Sequence, residues 1–339
     1  MTNRVVISTV PGALGDLPAL LRAKGLEVAI LPANATYWTA ALIRDYAVDA
    51  DAMVGMFEGL RLPRQVLEAA TRLRVVVSPV IGTEHIDVAA ATELGIAVGF
   101  GATPENYLGV AEAIIMLIAV QRKKFIEKFE TVRTGGWRTV QPGNMVRGAT
   151  IGIVGLGNIG RGVARRLQGW ECTVIASDPY IDPAIAPPLG VTLVDLPTLL
   201  GAADCVVLAV TLTDETHHMI GAEAFAQMKP GAFLINPARG GIVDEPALIA
   251  ALDRGQIAGA AIDTWEREPA PLDDPIREHP KILVTAHNIG HSTEAYQSLP
   301  VAAVENVVRG LAGTPPLHFR NPEVLPRWQQ RLQALGVRP

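Results

Sequence analysis

Three stretches in the last third of the chain carry side chains suited to gripping a carboxylate and moving a proton. They are Arg239, a carboxylate at Glu266 or Glu268, and His287. An arginine presents a planar fork of donors that can hold a carboxylate bidentately and polarise a neighbouring keto oxygen. A histidine changes charge near neutral pH, and a carboxylate beside it favours the imidazolium and fixes the ring orientation. His287 lies 19 residues after Glu268 and 48 after Arg239. The runs near 232–235, 257–262 and 281–284 read as strands, so each candidate follows a strand end, where open α/β sheets bind ligands. An isolated histidine or arginine in such a place is more often structural or solvent-facing. The three together fit proton exchange at a carbonyl or hydroxyl next to a carboxylate.

A fourth stretch, Val154-Gly155-Leu156-Gly157-Asn158-Ile159-Gly160, sits near the middle of the 339 residues. It comes after the β-branched run Thr150–Val154 and precedes a stretch that spaces Val163, Ala164 and Leu167 at helical intervals. In that context Gly155 makes a tight turn, Gly157 lets backbone approach a pyrophosphate, and Gly160 lets helix pack on strand. The helix N-terminus, with Asn158 and Ile159, then offers N–H groups to phosphate. With 32 glycines the spacing alone arises by chance about 0.3 times in such a chain, so position has to carry the argument. Asp178 ends the next strand, 23 residues past Gly155. A carboxylate there bonds ribose hydroxyls and repels a 2′-phosphate, and Pro179-Tyr180 supplies no arginine in its place, which favours NAD over NADP.

The rest of the chain has to position these parts. From Arg4 to Gly99 short β-branched runs alternate with helical patterns, the rhythm of a parallel sheet. Thr103-Pro104-Glu105 then starts a helix, with a cap, a proline at the first position and an acid at the positive end. One long helix is expected, to about Phe129. The alternation restarts at Ala149, and a helical stretch runs from Ser292 to about Leu311. The fold class is therefore α/β, with two Rossmann-like doubly wound parallel-sheet domains. Residues 102–291 form the cofactor domain, inserted in a discontinuous substrate domain of residues 1–101 plus 292–339. The tail from Thr314-Pro315-Pro316 onward reads as an extended arm.

Composition narrows the partners. At 49% hydrophobic residues the chain can bury large cores, and its net charge of −5 does not point to nucleic acid as a main partner. The longest apolar stretch, Leu108 to Val120, is interrupted by Glu112 and is shorter than the roughly 20 residues that span a bilayer, so no membrane partner is expected. Cys172 and Cys205 are the only cysteines, each in a strand-like run, and read as buried free thiols in a reducing compartment. The opening Met1–Ser8 reads as a strand without a secretory core, which makes the cytoplasm the expected location. His217-His218 has no partner at metal-ligand spacing and is expected on a turn or helix start, and no metal is expected.

These stretches resemble the D-isomer-specific 2-hydroxyacid dehydrogenase family over nearly the whole chain. Asn236-Pro237-Ala238-Arg239-Gly240 resembles the family's Asn-x-x-Arg-Gly segment, which implies that Arg239 binds substrate and Pro237 and Ala238 meet the cofactor. Asp263-Thr264-Trp265-Glu266-Arg267-Glu268-Pro269 resembles its Asp-x-x-x-x-Glu-Pro segment. That match selects Glu268 over Glu266 as the acid paired with the catalytic histidine, and implies a cofactor contact at Asp263. Thr285-Ala286-His287 resembles the Thr-Pro-His segment, which implies His287 as the proton carrier, with Gly290 near the cofactor. Ser78 to Asp87 resembles the family's glycine-containing loop, implying that backbone around Val80, Ile81 and Gly82 meets the substrate carboxylate. Asn106 and Val110-Ala111-Glu112 match the interdomain helix, in packing or hinge roles as much as in ligand contact.

The resemblance implies reversible hydride transfer between NAD(H) and a small 2-keto or 2-hydroxy acid of the D series. It also implies a homodimer and a hinged cleft between the domains. Formate or phosphite dehydrogenase-type members and NAD-sensing corepressors are the alternatives within the same fold family. The chain departs from the pattern at Ala286, where proline is usual, and at Ile289, His291 and Tyr107, where the family often has smaller residues. His291 is read as a solvent-facing helix-start residue ahead of a second polar contact. The loop Gly55-Met56-Phe57-Glu58-Gly59 lies where the family selects its substrate. Its apolar pair and acid argue mildly against a phosphorylated one, while Arg61 and Arg64 nearby keep that question open.

Overall fold

The computed structural model describes residues 2–8, 14–55, 60–138 and 140–337. The chain forms two compact units, Met1–Asn106 with Ser292–Pro339, and Tyr107–His291.

In the first unit β1 (Arg4–Ile7), β2 (Glu27–Ile30), β3 (Ala52–Val54), β4 (Val75–Ser78) and β5 (Ala97–Phe100) pair in parallel, in the order β2-β1-β3-β4-β5. A sheet covered on both faces needs strands that are apolar throughout. In β4, Val75 and Val77 enter one apolar layer with Leu17, Leu21 and Val307, while Val76 enters the other with Leu67 and Ile96. That alternation reflects the two-residue period of a strand.

The tail departs from the expected extended arm. Leu325–Ala334 is a helix whose Trp328 and Leu332 lie four residues apart on its inward face. The Trp328 indole donates to the Arg74 carbonyl at 2.7 Å, and the Arg331 guanidinium donates to the carbonyls of Leu73, Leu94, Ala70 and Thr71. Proline at the start of this helix suits its first turn, where no N–H bond is lost. The tail is therefore core to the first unit.

In the second unit seven parallel strands are ordered β12-β11-β10-β9-β6-β7-β8. They are β6 (Thr150–Val154), β7 (Thr173–Ser177), β8 (Val191–Leu193), β9 (Cys205–Leu208), β10 (Phe233–Asn236), β11 (Gly259–Ile262) and β12 (Ile282–Val284). The three-residue edge strand β8 was not legible as a run of its own. The chain leaves β6 toward β7 and β8, then returns to build β9 on the other side of β6. That reversal is the topological switch point at which such sheets bind ligands. The expected single helix to Phe129 is two helices, Pro104–Arg122 and Phe125–Arg133, parted at Lys124, whose φ of 50° is left-handed. A helix cannot continue through that conformation. Both cysteines are free, with Cys205 buried and Cys172 only half-buried.

Trp328→Ala removes the largest fully buried side chain and its indole bond. Loss of about 3–5 kcal/mol is expected, as for other buried tryptophan truncations. Denaturant unfolding measures it, and a loss under about 1 kcal/mol would contradict a core role for the tail.

Candidate active site

The site in the second unit is assembled by three neighbouring strand ends, those of β10, β11 and β12. After β10 the Asn236 side chain closes a turn, donating to the Arg239 carbonyl at 2.9 Å and accepting from Ala238 N–H at 3.1 Å. Pro237 and Ala238 are buried in this turn, and Arg239 emerges from it half-buried. Gly240 is required there, because a Cβ would lie 1.9 Å from the Trp265 carbonyl carbon. The loops after β10 and β11 therefore touch backbone to backbone.

Asp263, at the end of β11, organises the loop after β12. Its carbonyl accepts His287 N–H at 2.7 Å. Its Oδ1 accepts from the Thr285 hydroxyl at 2.6 Å, Asn288 N–H at 3.0 Å and Ile289 N–H at 3.2 Å. Held this way, His287 adopts a φ of 53°, a left-handed conformation that a side chain beyond glycine takes only under constraint. The Trp265 indole adds a bond to the Thr285 carbonyl at 2.9 Å.

His287 Nδ1 lies 2.8 Å from Glu268 Oε2 and 3.0 Å from Oε1. A carboxylate only accepts, so the imidazole donates through Nδ1. Glu268 Oε1 also accepts Trp265 N–H at 3.0 Å. Burial pushes the Glu268 carboxyl up. Bonds from His287 and Trp265, with the charges of His287 and Arg239, more than offset that and hold it below the usual carboxylate range. Glu266 stands elsewhere, paired with His218 Nε2 at 3.0 Å. Of the two acids, Glu268 is the one beside the histidine.

The glycine turn after β6 fits a dinucleotide. Gly155 has a φ of 92°, and a Cβ there would meet the Ala209 carbonyl at 2.7 Å. One on Gly160 would meet the Gly155 carbonyl at 2.2 Å, whereas one on Gly157 would meet nothing within 4 Å. Two glycines thus serve packing, and the third borders open space at the N-terminus of helix Asn158–Leu167, whose cap has no side-chain bond. Asp178 accepts Leu156 N–H at 2.8 Å and Tyr180 N–H at 3.0 Å, which holds its carboxylate beside the turn. At Gly290 a Cβ would lie 2.4 Å from Val110 Cγ2, so the backbone after β12 packs closely on that residue. Ala111 packs on Gly162 and Glu112 pairs with Arg166 at 2.7 Å, both packing roles. Ile289 packs against the second unit's core, and the His291 N–H closes a turn on the Asn288 carbonyl.

In the first unit, the loop after β4 has its carbonyls occupied. Val80 O accepts Gly101 N–H at 3.0 Å, Ile81 O accepts the Arg320 guanidinium at 3.0 Å, and Gly82 O accepts the Ser78 hydroxyl at 2.6 Å. The N–H groups of Ile81 and Gly82 have no acceptor among the described residues. Such a loop presents donors and is suited to an anion. Of Gly55–Gly59, the stretch read as substrate-selecting, Met56 to Gly59 lie outside the described residues. Arg64 nearby pairs with Glu93 at 2.6 Å and Glu68 at 3.6 Å.

Asn236 and Thr285 hold the active loops, roles that residue type did not reveal. The signal available was their place two or three residues before a candidate. His217 and His218 sit on a turn as expected, but the fold brings Glu266 to them, so the three form a group able to hold a metal ion. The 47 residues between His218 and Glu266 hid that partner.

Residues 114–288, about half of the chain, match the family model described as D-isomer specific 2-hydroxyacid dehydrogenase, NAD binding domain. The chain belongs to this family. The relatives are named as dehydrogenases and reductases, and NAD is the cofactor of the matched domain. The chain is 37% identical to a glyoxylate reductase of Korarchaeum cryptofilum over 284 residues, 82% of this chain and 84% of that one. It is 36% identical over 256 residues to a D-3-phosphoglycerate dehydrogenase of Archaeoglobus fulgidus, covering 75% of this chain and 48% of the relative. This chain thus spans about half the length of that relative. Among solved structures, an NAD-dependent formate dehydrogenase from Staphylococcus aureus in complex with NAD superposes with a TM-score of 0.79 at 28% identity, over 92% of this chain and 96% of that one.

A pKa depressed on folding means that ionised Glu268 stabilises the folded family member. That contribution is full above the carboxyl's ordinary value of 4.5 and is lost as pH falls through the folded value. The stability advantage of the native chain over Glu268→Gln is therefore expected to be largest above pH 4.5 and to shrink in acid. Urea unfolding across pH measures it, and an advantage that grows in acid would contradict the assignment.

Proposed function

We propose that the chain is an NAD-dependent dehydrogenase of small, unphosphorylated 2-keto and 2-hydroxy acids of the D series. The observation that carries this is the bond from His287 Nδ1 to Glu268, with Arg239 on the neighbouring loop after β10. In this reading Gly155, Gly157, Gly160, Asn158 and Ile159 hold the pyrophosphate of NAD, and Asp178 takes ribose hydroxyls. Pro237, Ala238, Asp263 and Gly290 border the rest of the cofactor. Bound NAD(H) accepts or supplies the hydride.

The chain's own groups do the remainder. Arg239 grips the substrate carboxylate and polarises the keto oxygen, so charge developing there meets a fixed cation. The backbone around Val80, Ile81 and Gly82, in the first unit, offers donors to a carboxylate. In reduction, His287 as the imidazolium gives the carbonyl oxygen a proton through Nε2, while Glu268 keeps Nδ1 protonated. In oxidation neutral His287 takes that proton back. Arg64 pairs with Glu93 and Glu68 in exposed ion pairs that a phosphate would readily replace, so the preference for an unphosphorylated substrate over the phosphoglycerate named for some relatives rests on the apolar pair and acid of the stretch Gly55–Gly59.

A homodimer through the second unit belongs to the same proposal. Helix Phe125–Arg133 has no buried residue, yet Phe125, Ile126, Phe129 and Val132 are all exposed, with Trp137 beyond it 72% exposed. A continuous apolar face of this kind marks an interaction surface. Two free thiols accord with a cytoplasmic setting.

His287→Gln and Arg239→Ala are each expected to lower turnover on a responsive 2-keto acid by about 100-fold or more. NADH binding, read by fluorescence, should persist in both. Unchanged turnover in either variant would remove the assigned role, and NADH binding with no turnover on any of a panel of 2-keto acids would mark a binding protein instead. For the dimer, light scattering should give twice the chain mass for the native protein and a monomer for Phe129→Glu, and a native monomer would end that part of the proposal.

A further inference from the structure

Outside the site just described, one side-chain cluster has the composition of a metal centre. His217, His218 and Glu266 each offer a ligand atom, and these atoms lie within 4.8 Å of one another. The turn that carries the two histidines is built to present them together. Consecutive side chains on extended backbone point to opposite sides. Here His218 takes a left-handed φ of 51°, which turns its ring alongside that of His217, with centroids 3.9 Å apart and an interplanar angle of 25°.

The turn is fixed from both ends. The Thr216 hydroxyl donates to the Thr211 carbonyl at 2.7 Å and accepts Thr213 N–H at 2.8 Å. His218 N–H donates to the Gly241 carbonyl at 2.8 Å, and Ile220 bridges to Val243. The third ligand comes from the loop after β11, where Glu266 N–H donates to Glu245 Oε1 at 3.0 Å. A second carboxylate thus stands beside the cluster and adds to the local negative charge.

We propose that His217, His218 and Glu266 form a binding site for a divalent transition-metal ion of the zinc class, with one coordination position left to solvent. Two imidazoles and a carboxylate suit zinc, cobalt or nickel, and not magnesium or calcium, which take oxygen ligands. Ligand atoms about 2.0–2.2 Å from one ion stand roughly 3.3 Å apart, so rotation of these solvent-accessible side chains closes the set. His218 Nε2 and Glu266 Oε1, at 3.0 Å, are already near that spacing. An ion held here ties the turn after β9 to the loop that carries Glu268.

The test uses the untagged 339-residue chain, stripped with a chelator and titrated with Zn²⁺ in competition with a chromophoric chelator. The expected result is one ion per chain with a Kd of about 1 μM or tighter. His218→Ala and Glu266→Gln should each weaken it about 10- to 100-fold, with His217→Ala similar. His287→Ala should leave it unchanged, which separates this cluster from the catalytic pair. Cobalt substituted for zinc should give the visible bands of a tetrahedral site. Absence of stoichiometric binding would overturn the proposal. So would binding that survives the His217→Ala, His218→Ala double variant or vanishes in His287→Ala.

Discussion

The second unit depends on the grip of Asp263 on the loop after β12. One buried carboxylate oxygen gathers a hydroxyl and two backbone N–H groups, and the same residue's carbonyl takes a third N–H, that of His287. A buried charge persists only when it is compensated in this way. The compensation here does more than cancel a cost. It fixes His287 in a backbone conformation the chain would not choose, and so places its ring beside Glu268. Because Asp263 ends β11 and the loop comes after β12, the constraint relies on the parallel pairing of Ala260, Ala261 and Ile262 with Ile282, Leu283 and Val284. The register of two strands at the sheet edge thus positions one histidine against its carboxylate.

The same architecture explains why residues far apart in sequence converge. In a parallel sheet every strand delivers its following loop to the same edge. Arg239, Glu268 and His287 come after β10, β11 and β12, and the glycine turn after β6, so sheet order alone brings them to one side of the second unit. Close packing finishes the placement. Gly240 allows the loops after β10 and β11 to meet at backbone distance, and the Trp265 indole pins the start of the loop after β12.

Much of this was legible in the sequence because strand runs, glycine spacing and the ends of strands obey short-range rules. Most strands of both sheets, the glycine turn and Asp178 all came from such local signals, whereas the choice of Glu268 over Glu266 rested on the resemblance of its segment to the family's Glu-Pro. The features that stayed hidden were long-range or conformational. The break at Lys124 left no proline or glycine to mark it, since a left-handed lysine looks like any other. The tail was read as an arm because its prolines signal extension, whereas its packing depends on Trp328 meeting Arg74 across 254 positions of chain. Glu266 could not be joined to His217 and His218 without the fold.

The three glycines after β6 differ in the forces that hold them in place. Gly155 and Gly160 answer to the chain itself, since a methyl group at either collides with backbone. Gly157 meets no atom of the protein within 4 Å. It stands at the N-cap of its helix, where alanine serves less well than glycine, so a methyl there costs the fold about 1 kcal/mol of capping and no packing. Whatever it costs beyond that falls on the molecule that comes to rest against the turn.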